Sequence, residues 1–344
     1  MTRFFLIIVL VFVLPITVSP GHSQQSDIPD LAGPCRGPKP PASIPELLIP
    51  GITLTALIAQ SSSIHASIPF EFYRNKFRFK ATINGQGCNM LLDNGSLWDE
   101  LLFFGSPKID SLGFRITGET TIGNTKADIA KNVTIEVNDA IFHDQTAVIT
   151  RYDPNLPNPW EGFDGQISAA FFKNFIVRID FDKTVVELIK PEHFVYKGAG
   201  QAFNMHPGPF DSRTMTADIT VTNGEPVRLE LLIDLGGLYP LYLPIGKDDR
   251  ITLPPDACET SLGSGLFNQT GYIGTTKTIR FGNYTLHNVP TAFTIAGKNL
   301  NVYGNTMIGL PLLQRFNIIF DYFNEYIILE PTQSFYTPFN TEDW

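Results

Sequence analysis

The chain has 344 residues and a formal net charge of −9 at pH 7. This acidic balance argues against nucleic acid or an anionic membrane as a partner, because both bind basic surfaces. The three cysteines, Cys35, Cys88 and Cys258, are too few for a disulfide scaffold. An oxidising compartment would permit one bridge among them and leave one thiol.

The first residues have the pattern of an export signal. An unbroken apolar run at residues 4–14 is too short to cross a bilayer comfortably and is followed by Pro15. Residues 21–23 supply the small-x-small stretch that a signal peptidase cleaves. We therefore predict a signal peptide at 1–23 and an exported protein, periplasmic or secreted, with no membrane span after signal cleavage. An uncleaved membrane anchor is the alternative.

The remaining composition is typical of an all-β protein. Residues 24–66 are rich in Pro and Ser and are interpreted as an extension that is wrapped on the surface or partly disordered. Over its full length the chain contains 27 phenylalanines, 28 glycines and 26 prolines, and it lacks long charged helical stretches. Many short strands joined by tight turns have this balance.

The chain contains an internal duplication, which is the strongest signal in the sequence. Leu-Leu-Asp-Asn-Gly-Ser at 91–96 matches Leu-Ile-Asp-Leu-Gly-Gly at 232–237, an offset of 141 positions, the difference between 234 and 93. The same offset aligns residues 175–181 with 316–322. We predict two equivalent lobes, and the boundaries are a signal peptide at 1–23, an extension at 24–66, a first lobe at 67–198, a second lobe at 199–331 and a tail at 332–344.

Each predicted lobe begins with a hairpin and has one short helix near its end. Residues 77–83 alternate and reach Asn84-Gly85, and residues 217–221 lead to Asn223-Gly224, which is the strongest local signal for a β-hairpin. Short helical patterns occur at 169–174 and 310–315. The stretch 190–213, which bears Gly, Pro and His, is interpreted as the connection between the lobes.

The two equivalent turns suggest paired carboxylates. An apolar run that ends in Asp-x-Gly places an aspartate at a tight turn between buried strands. A pseudo-twofold axis would bring Asp93 and Asp234 face to face, and two carboxylates about 3 Å apart share one proton. One group can then act as base and the other as acid on a water and a peptide bond, with no metal and no cofactor. The roles exchange within a cycle, so base and acid are not assigned separately.

These turns, together with Met307-Ile308-Gly309, resemble those of the pepsin and retropepsin clan of aspartyl proteases, specifically its exported bacterial two-lobed members. The resemblance covers nearly the whole mature chain. It implies two β-barrel-like lobes, a cleft between them for a peptide or protein substrate, and a monomer. It also implies a catalytic pair, Asp93 and Asp234, supported by the turn residues Asn94, Gly95, Ser96, Leu235, Gly236 and Gly237.

The resemblance further implies a β-hairpin flap over the cleft. In the first lobe the matching stretch is 118–124, which has no tyrosine, and residues 263–265 occupy the equivalent place in the second lobe. The flap candidates are Gly118, Ile122, Gly123 and Asn124.

Three positions depart from the family pattern. Family members have Thr or Ser after each aspartate, and its hydroxyl bonds to the opposite lobe. Here Asn94 retains a donor for a similar bond, whereas Leu235 has no polar group. Ser168 also stands where Gly309 stands in the second copy. The alternative function is therefore a catalytically weak or inactive protein that binds peptide or protein in the cleft.

Other chemistry is less well supported. The six histidines lack ligand spacing, so no metal site is expected, and Ser96 lacks the Gly-x-Ser-x-Gly elbow of a serine hydrolase. Cys88 is expected to be a small buried hydrophobe. Asp180 and Asp321 repeat faithfully, and the turn residues that follow them favour a structural role at hairpins.

Overall fold

The computed structural model describes the strands, helices and turns of most of the chain after residue 64. The described residues are 65–95, 101–122, 125–138, 140–150, 160–168, 170–208, 212–246, 248–262, 269–295 and 306–339. The predicted signal peptide and nearly all of the predicted extension lie outside them. Within these ranges, no helix is long and apolar enough to cross a membrane.

The structure is built almost entirely of β-strands, as the composition predicted. In its described residues, the first copy contains two helices, α1 (Pro107–Asp110) and α2 (Ala170–Asn174). Its strands are β1 (His65–Tyr73), β2 (Lys76–Ile83), β3 (Gln86–Leu92), β4 (Leu101–Phe104), β5 (Arg115–Ile122), β6 (Thr125–Val137), β7 (Ala140–Thr150), β8 (Gly165–Ile167), β9 (Ile176–Asp180) and β10 (Val185–Ile189).

From residue 213 onward, the described strands of the second copy follow the same order as those of the first copy from β2 onward. A 3₁₀ turn at Pro191–His193 precedes it, and its helix is α3 (Leu310–Leu313). Its strands are β11 (Gln201–Asn204), β12 (His206–Pro207), β13 (Arg213–Thr220), β14 (Val227–Asp234), β15 (Leu241–Ile245), β16 (Cys258–Leu262), β17 (Gln269–Phe281), β18 (Tyr284–Ile295), β19 (Met307–Gly309), β20 (Phe316–Asp321) and β21 (Tyr326–Pro331).

The strands form two lobes and a layer that joins them. A 13-stranded sheet has the order β11-β21-β20-β9-β10-β1-β2-β3-β8-β4-β7-β6-β5, and an 8-stranded sheet has the order β12-β13-β14-β19-β15-β18-β17-β16. Pairings of β2 with β6 and of β13 with β17 curl each lobe toward a barrel. The two-lobed all-β architecture predicted from the sequence is therefore confirmed.

The two copies meet edge to edge through equivalent strands. β9 pairs antiparallel with β20, and Arg178 lies opposite Ile319. These two residues are themselves one repeat offset apart, so the pseudo-twofold axis passes between them. The neighbouring pairs, Ile179 with Ile318 and Val177 with Phe320, are arranged symmetrically about it.

The first predicted hairpin is confirmed, and the second differs in its turn. Asn84 and Gly85 both have positive φ, and Ile83 pairs directly with Gln86 across them. In the second copy pairing stops at Ile219 with Val227. The Asn-Gly pair lies inside this longer loop, because Pro226 has no N–H to donate to a ladder.

The short helices and the connection between lobes also differ in detail from the prediction. The helices near 169–174 and 310–315 are present as α2 and α3. α1 was not predicted; it begins after Ser106, whose side chain accepts a hydrogen bond from the Ile109 N–H, with Pro107 in its first turn. The predicted connection contributes β11, which pairs with β21 at the edge of the joining layer.

The cysteines divide between a thiol and a disulfide. Cys88 is a buried free thiol, and burial raises its pKa to about 11, so it is neutral at pH 7. It packs as a small hydrophobe, as predicted. Cys258 is disulfide-bonded, and its partner lies outside the described residues.

Candidate active site

Two equivalent strand pairs deliver the two aspartates. β3 runs parallel to β8, and the Asp93 N–H donates to the Ile167 carbonyl at 3.1 Å, just beyond the end of β3. β14 runs parallel to β19, where Asp234 lies opposite Gly309. Each aspartate therefore stands at the end of a strand that is fixed by a neighbour of its own lobe.

Each carboxylate is anchored by its own turn. The Gly95 N–H donates to Asp93 Oδ1 at 3.0 Å, and the Gly236 N–H donates to Asp234 Oδ1 at 2.7 Å. These Asx-type turns are the local reason for the Asp-x-Gly pattern. The two carboxylates are oriented in the same way by the same backbone device.

The structure brings Asp93 and Asp234 together. Their side chains hydrogen bond to each other, and both are buried, at 3% and 5% exposure. An ionised carboxylate can only accept, so this bond requires a proton on one of the two groups. The expectation that the repeat places the two aspartates face to face is met.

The glycines of the turns make this approach possible. A Cβ on Gly236 would lie 2.6 Å from Asp93 Oδ2, and a Cβ on Gly95 would overlap the carboxyl group of Asp234. Each turn therefore packs its glycine against the aspartate of the opposite lobe. Any side chain at these positions would displace a carboxylate.

Burial and mutual repulsion shift the protonation of the pair. Burial raises the pKa of Asp234 well above its usual range, and the negative charge and hydrogen bond of Asp93 raise it further. The Gly236 N–H and the charge of Lys76 act in the opposite direction. The pair consequently holds one proton at pH values where an exposed aspartate is ionised.

Asn94 makes the bond between lobes, but with a different atom from the one predicted. The sequence suggested its donor for this contact, whereas its Oδ1 accepts from the Leu235 N–H at 2.8 Å. Its Nδ2 donates to the Tyr322 hydroxyl at 3.4 Å. The side chain of Leu235 is fully buried in the apolar core. The polar contact between the two turns is thus made from one side only.

Comparison with known proteins identifies the architecture. No family model and no curated protein matches the sequence. Among solved structures, the chain is similar to the aspartic proteinase from Irpex lacteus, with a TM-score of 0.53 and 11% sequence identity over 80% of this chain and 100% of that chain. The chain has the pepsin-like fold. At this identity the likeness concerns the fold, and the function is argued below from the residues.

Within the pepsin-like fold, the departure at Ser168 has a local explanation. Gly309 lies so close to the second turn that a Cβ would be 2.8 Å from the Gly237 carbonyl oxygen. At the equivalent place in the first copy, the buried Ser168 hydroxyl accepts from Gln166 Nε2 at 3.1 Å. The serine is therefore satisfied within its own lobe.

The second active turn has a support that the sequence did not reveal. The Tyr242 hydroxyl accepts hydrogen bonds from the backbone N–H groups of Leu238 and Tyr239, at 3.0 and 3.1 Å. These residues directly follow Gly237, so the buried phenol ties the end of the turn to β15. The first copy has Leu101 at the position one repeat offset earlier, which explains why the duplication gave no hint of this contact.

Two of the flap candidates, Gly118 and Ile122, lie on β5. β5 pairs with β6 up to Ile122 opposite Thr125, and Gly123 and Asn124 lie outside the described residues. Gly118 follows a register shift in this ladder, and β5 is the edge strand of its sheet. β16 and β17 form the corresponding hairpin of the second lobe. Ser96 and residues 263–265 also lie outside the described residues.

The remaining predictions concern metals and the repeated aspartates. Among the described residues, no group of three or more His, Cys, Asp or Glu side chains could hold a metal ion. Asp180 accepts from the Lys183 N–H at 2.9 Å, and Asp321 accepts from the Asn324 N–H at 2.9 Å. Both aspartates therefore close hairpin turns, as predicted.

A buried lysine near the dyad was missed by the sequence analysis. Lys76, at the start of β2, is 4% exposed, and its Nζ lies 5.3 Å from the centre of the Trp160 ring. Trp160 packs in a cluster with Leu91, which precedes Asp93 by two positions and so points to the same face of the strand. A single Lys in a Phe-rich strand gave no signal of this placement.

Replacing Lys76 by methionine is expected to raise the pKa of Asp234 further. The positive charge that favours the ionised pair would be lost, while an aliphatic stem would still pack on Trp160. Titration of the aspartate carboxyl carbons by NMR measures the shift. Lys80→Met is the matched control, because Lys80 is exposed farther along the same strand, and it should leave the titration unchanged. An unaltered pKa in Lys76→Met would contradict the assignment.

Proposed function

We propose that this chain is an exported aspartic-type endopeptidase in which Asp93 and Asp234 activate a water molecule for attack on a peptide bond. The observation that carries the proposal is the hydrogen bond between two buried carboxyl groups presented by equivalent turns. Buried like-charge carboxyl pairs with separated pKa values are arranged for acid and base work.

The chemistry follows from one shared proton. The ionised carboxylate removes a proton from the water, whose oxygen attacks the carbonyl carbon of the peptide bond. The protonated carboxyl donates its proton to the carbonyl oxygen. In the collapse of the tetrahedral diol, one carboxyl donates its proton to the leaving nitrogen and the C–N bond breaks, while the other carboxylate takes the proton of a diol hydroxyl, which becomes the carbonyl of the product acid. The pair then again holds one proton, so no cofactor is consumed.

Export is part of the same proposal. The apolar run at residues 4–14 supports it, and so does the disulfide at Cys258, because structural disulfides persist in oxidising compartments. A peptide or protein is the proposed substrate, and a monomer is sufficient because one chain supplies both aspartates. The sequence resemblance to exported bacterial members of the clan is the support for that subtype.

A second candidate function rests on Leu235. Because its side chain is apolar and buried, Leu235 cannot make a side-chain hydrogen bond to the first turn to match the one that Asn94 makes to the second. In this second reading, the dyad is held from one side and is too loosely positioned for catalysis, since errors of about 1 Å cost roughly 100-fold in rate. In that case the chain would bind peptides between its lobes without cleaving them.

Cleavage of an unstructured protein substrate between pH 3 and 7 distinguishes the two functions. We expect Asp93→Asn and Asp234→Asn each to reduce cleavage by at least about 100-fold, because either change removes a proton-transfer group. Asp248→Asn, on a surface loop beside Arg250, is the control and should cleave normally. Folded wild-type protein that cleaves at no pH, yet binds the substrate, would establish the binding function instead.

A further inference from the structure

The two sides of the dyad differ in a correlated way. Asn94 and Leu235 are one repeat offset apart, and so are Phe181 and Tyr322. Asn94, after the first aspartate, contacts Tyr322. The pair that corresponds to it by the repeat is Leu235, after the second aspartate, with Phe181. One of these corresponding pairs consists of two polar residues and the other of two apolar residues. The two copies therefore differ at both positions of the pair.

The orientation of the Asn94 amide is fixed by its two partners. The Leu235 N–H can only donate, so the amide oxygen must face it and the NH₂ group must face the Tyr322 hydroxyl. Asn94 is 1% exposed, so these protein groups, rather than bulk water, decide its conformation. The Leu235 N–H therefore selects the rotation of the amide, and the Tyr322 hydroxyl accepts from the NH₂ group that this rotation turns toward it.

Tyr322 is itself held rigidly. The Arg213 guanidinium carbon lies 4.7 Å from the centre of its ring, and the Phe172 ring centre lies 5.6 Å away. The residue before it, Asp321, is locked by hydrogen bonds from the backbone and side chain of Asn324, at 2.9 and 2.8 Å. These contacts hold the Tyr322 side chain in one position in the second copy.

The equivalent residue of the first copy has a different environment. Phe181 packs against the rings of Phe70 and Phe77, with centre distances of 5.8 and 6.3 Å. Nothing in this cluster needs a hydroxyl group. The side that lacks a polar contact also lacks the tyrosine that would support one.

We propose that Tyr322 is a positioning residue for the dyad, acting through Asn94 on the Leu235 N–H. A series of hydrogen bonds runs from the Tyr322 hydroxyl through the Asn94 amide to the Leu235 N–H. This series sets the separation of the two active turns from one side. This inference rests on the proposed function for its effect on rate, but its structural core concerns how the two carboxyl groups share a proton.

Tyr322→Phe tests this proposal, because it keeps the ring between Arg213 and Phe172 and removes only the hydroxyl. We expect kcat to fall about 10-fold with little change in KM, since a misplaced dyad affects the reaction rather than substrate binding. We also expect the two apparent pKa values of the dyad, measured by carboxyl-carbon NMR, to move closer together. Tyr284→Phe is the control, since its ring packs against Phe203 and Phe316 away from the turns.

A double-mutant cycle separates positioning from general stability. If Tyr322 acts through Asn94, adding Tyr322→Phe to Asn94→Ala should produce no further change in the dyad titration. Additive effects, or an unchanged titration in Tyr322→Phe, would overturn the proposal. Because the titration needs no turnover, a wild-type protein that shows coupled carboxyls without cleavage would refute the endopeptidase while leaving the role of Tyr322 to be decided by the cycle.

Discussion

Alanine at Gly95 or Gly236 is expected to separate the two aspartates and to lower the free energy of unfolding by about 1–3 kcal/mol, the usual cost of overpacking a rigid site. A Cβ at Gly95 would lie 2.9 Å from the Asp234 Cβ as well as overlapping its carboxyl group, and a Cβ at Gly236 would lie 2.7 Å from the Asp93 Cγ. The carboxyl groups must move, because the turn backbone is fixed by the strands. Peptide cleavage should be lost with them.

Denaturant unfolding and the dyad titration measure the two parts of this effect. Gly87→Ala is the matched control, since Gly87 lies on β3, the strand that leads to Asp93, and a Cβ there would meet nothing within 4 Å. It should change stability by less than about 0.5 kcal/mol. If Gly95→Ala retained a mutually coupled pair of pKa values, the close packing of each glycine on the opposite carboxylate would be refuted.

Asp234→Asn is expected to make the folded protein more stable at pH 7 than the wild type. Burial, and then the charge of Asp93, raise the pKa of Asp234 above its unfolded value. The stability of the wild type is therefore fully present below the unfolded pKa and is lost as the pH rises through the folded pKa. Asparagine has no proton to lose, and each unit of the raised pKa corresponds to about 1.4 kcal/mol. The gain should vanish near pH 3.

Asp180→Asn provides a control of opposite sign. Burial alone would raise the pKa of Asp180, but hydrogen bonds from Lys183 outweigh it and lower the pKa. The ionised group therefore contributes stability above its unfolded pKa, and this contribution is lost as the pH falls. Asp180→Asn should destabilise at pH 7. Unfolding free energies of both variants across pH 3–8 test the pair, and a destabilised Asp234→Asn at pH 7 would show that the dyad is not strained by burial.

The sequence predicted the parts of the site that depend on repetition. The offset between Asp93 and Asp234, together with the alternating runs around Asn84-Gly85, implied both the fold class and the meeting of the two carboxylates. Periodicity and turn chemistry are local, so they can be read along the chain. Pro226 interrupted the second hairpin because it acts against the ladder that the surrounding pattern favoured.

The contacts that adjust the dyad could not be predicted in the same way. Asn94 and Tyr322 are 228 positions apart, and their contact exists only after the second copy closes on the first. Lys76 gave no signal because its burial depends on Trp160, which comes from a distant loop. The direction of the Asn94 bond was mispredicted, because an amide has both a donor and an acceptor and only the neighbouring Leu235 N–H decides between them.

The pairing of Arg178 with Ile319 on the pseudo-twofold axis shows what fusion of two halves permits. In a symmetric homodimer of identical halves, a residue on the axis faces its own copy, so an arginine there would face an arginine and an asparagine after one aspartate would appear after both. Like charges directly opposite each other weaken a sheet. A single chain is free of this constraint. It can place a cation opposite an apolar residue at its centre and give its two aspartates different neighbours.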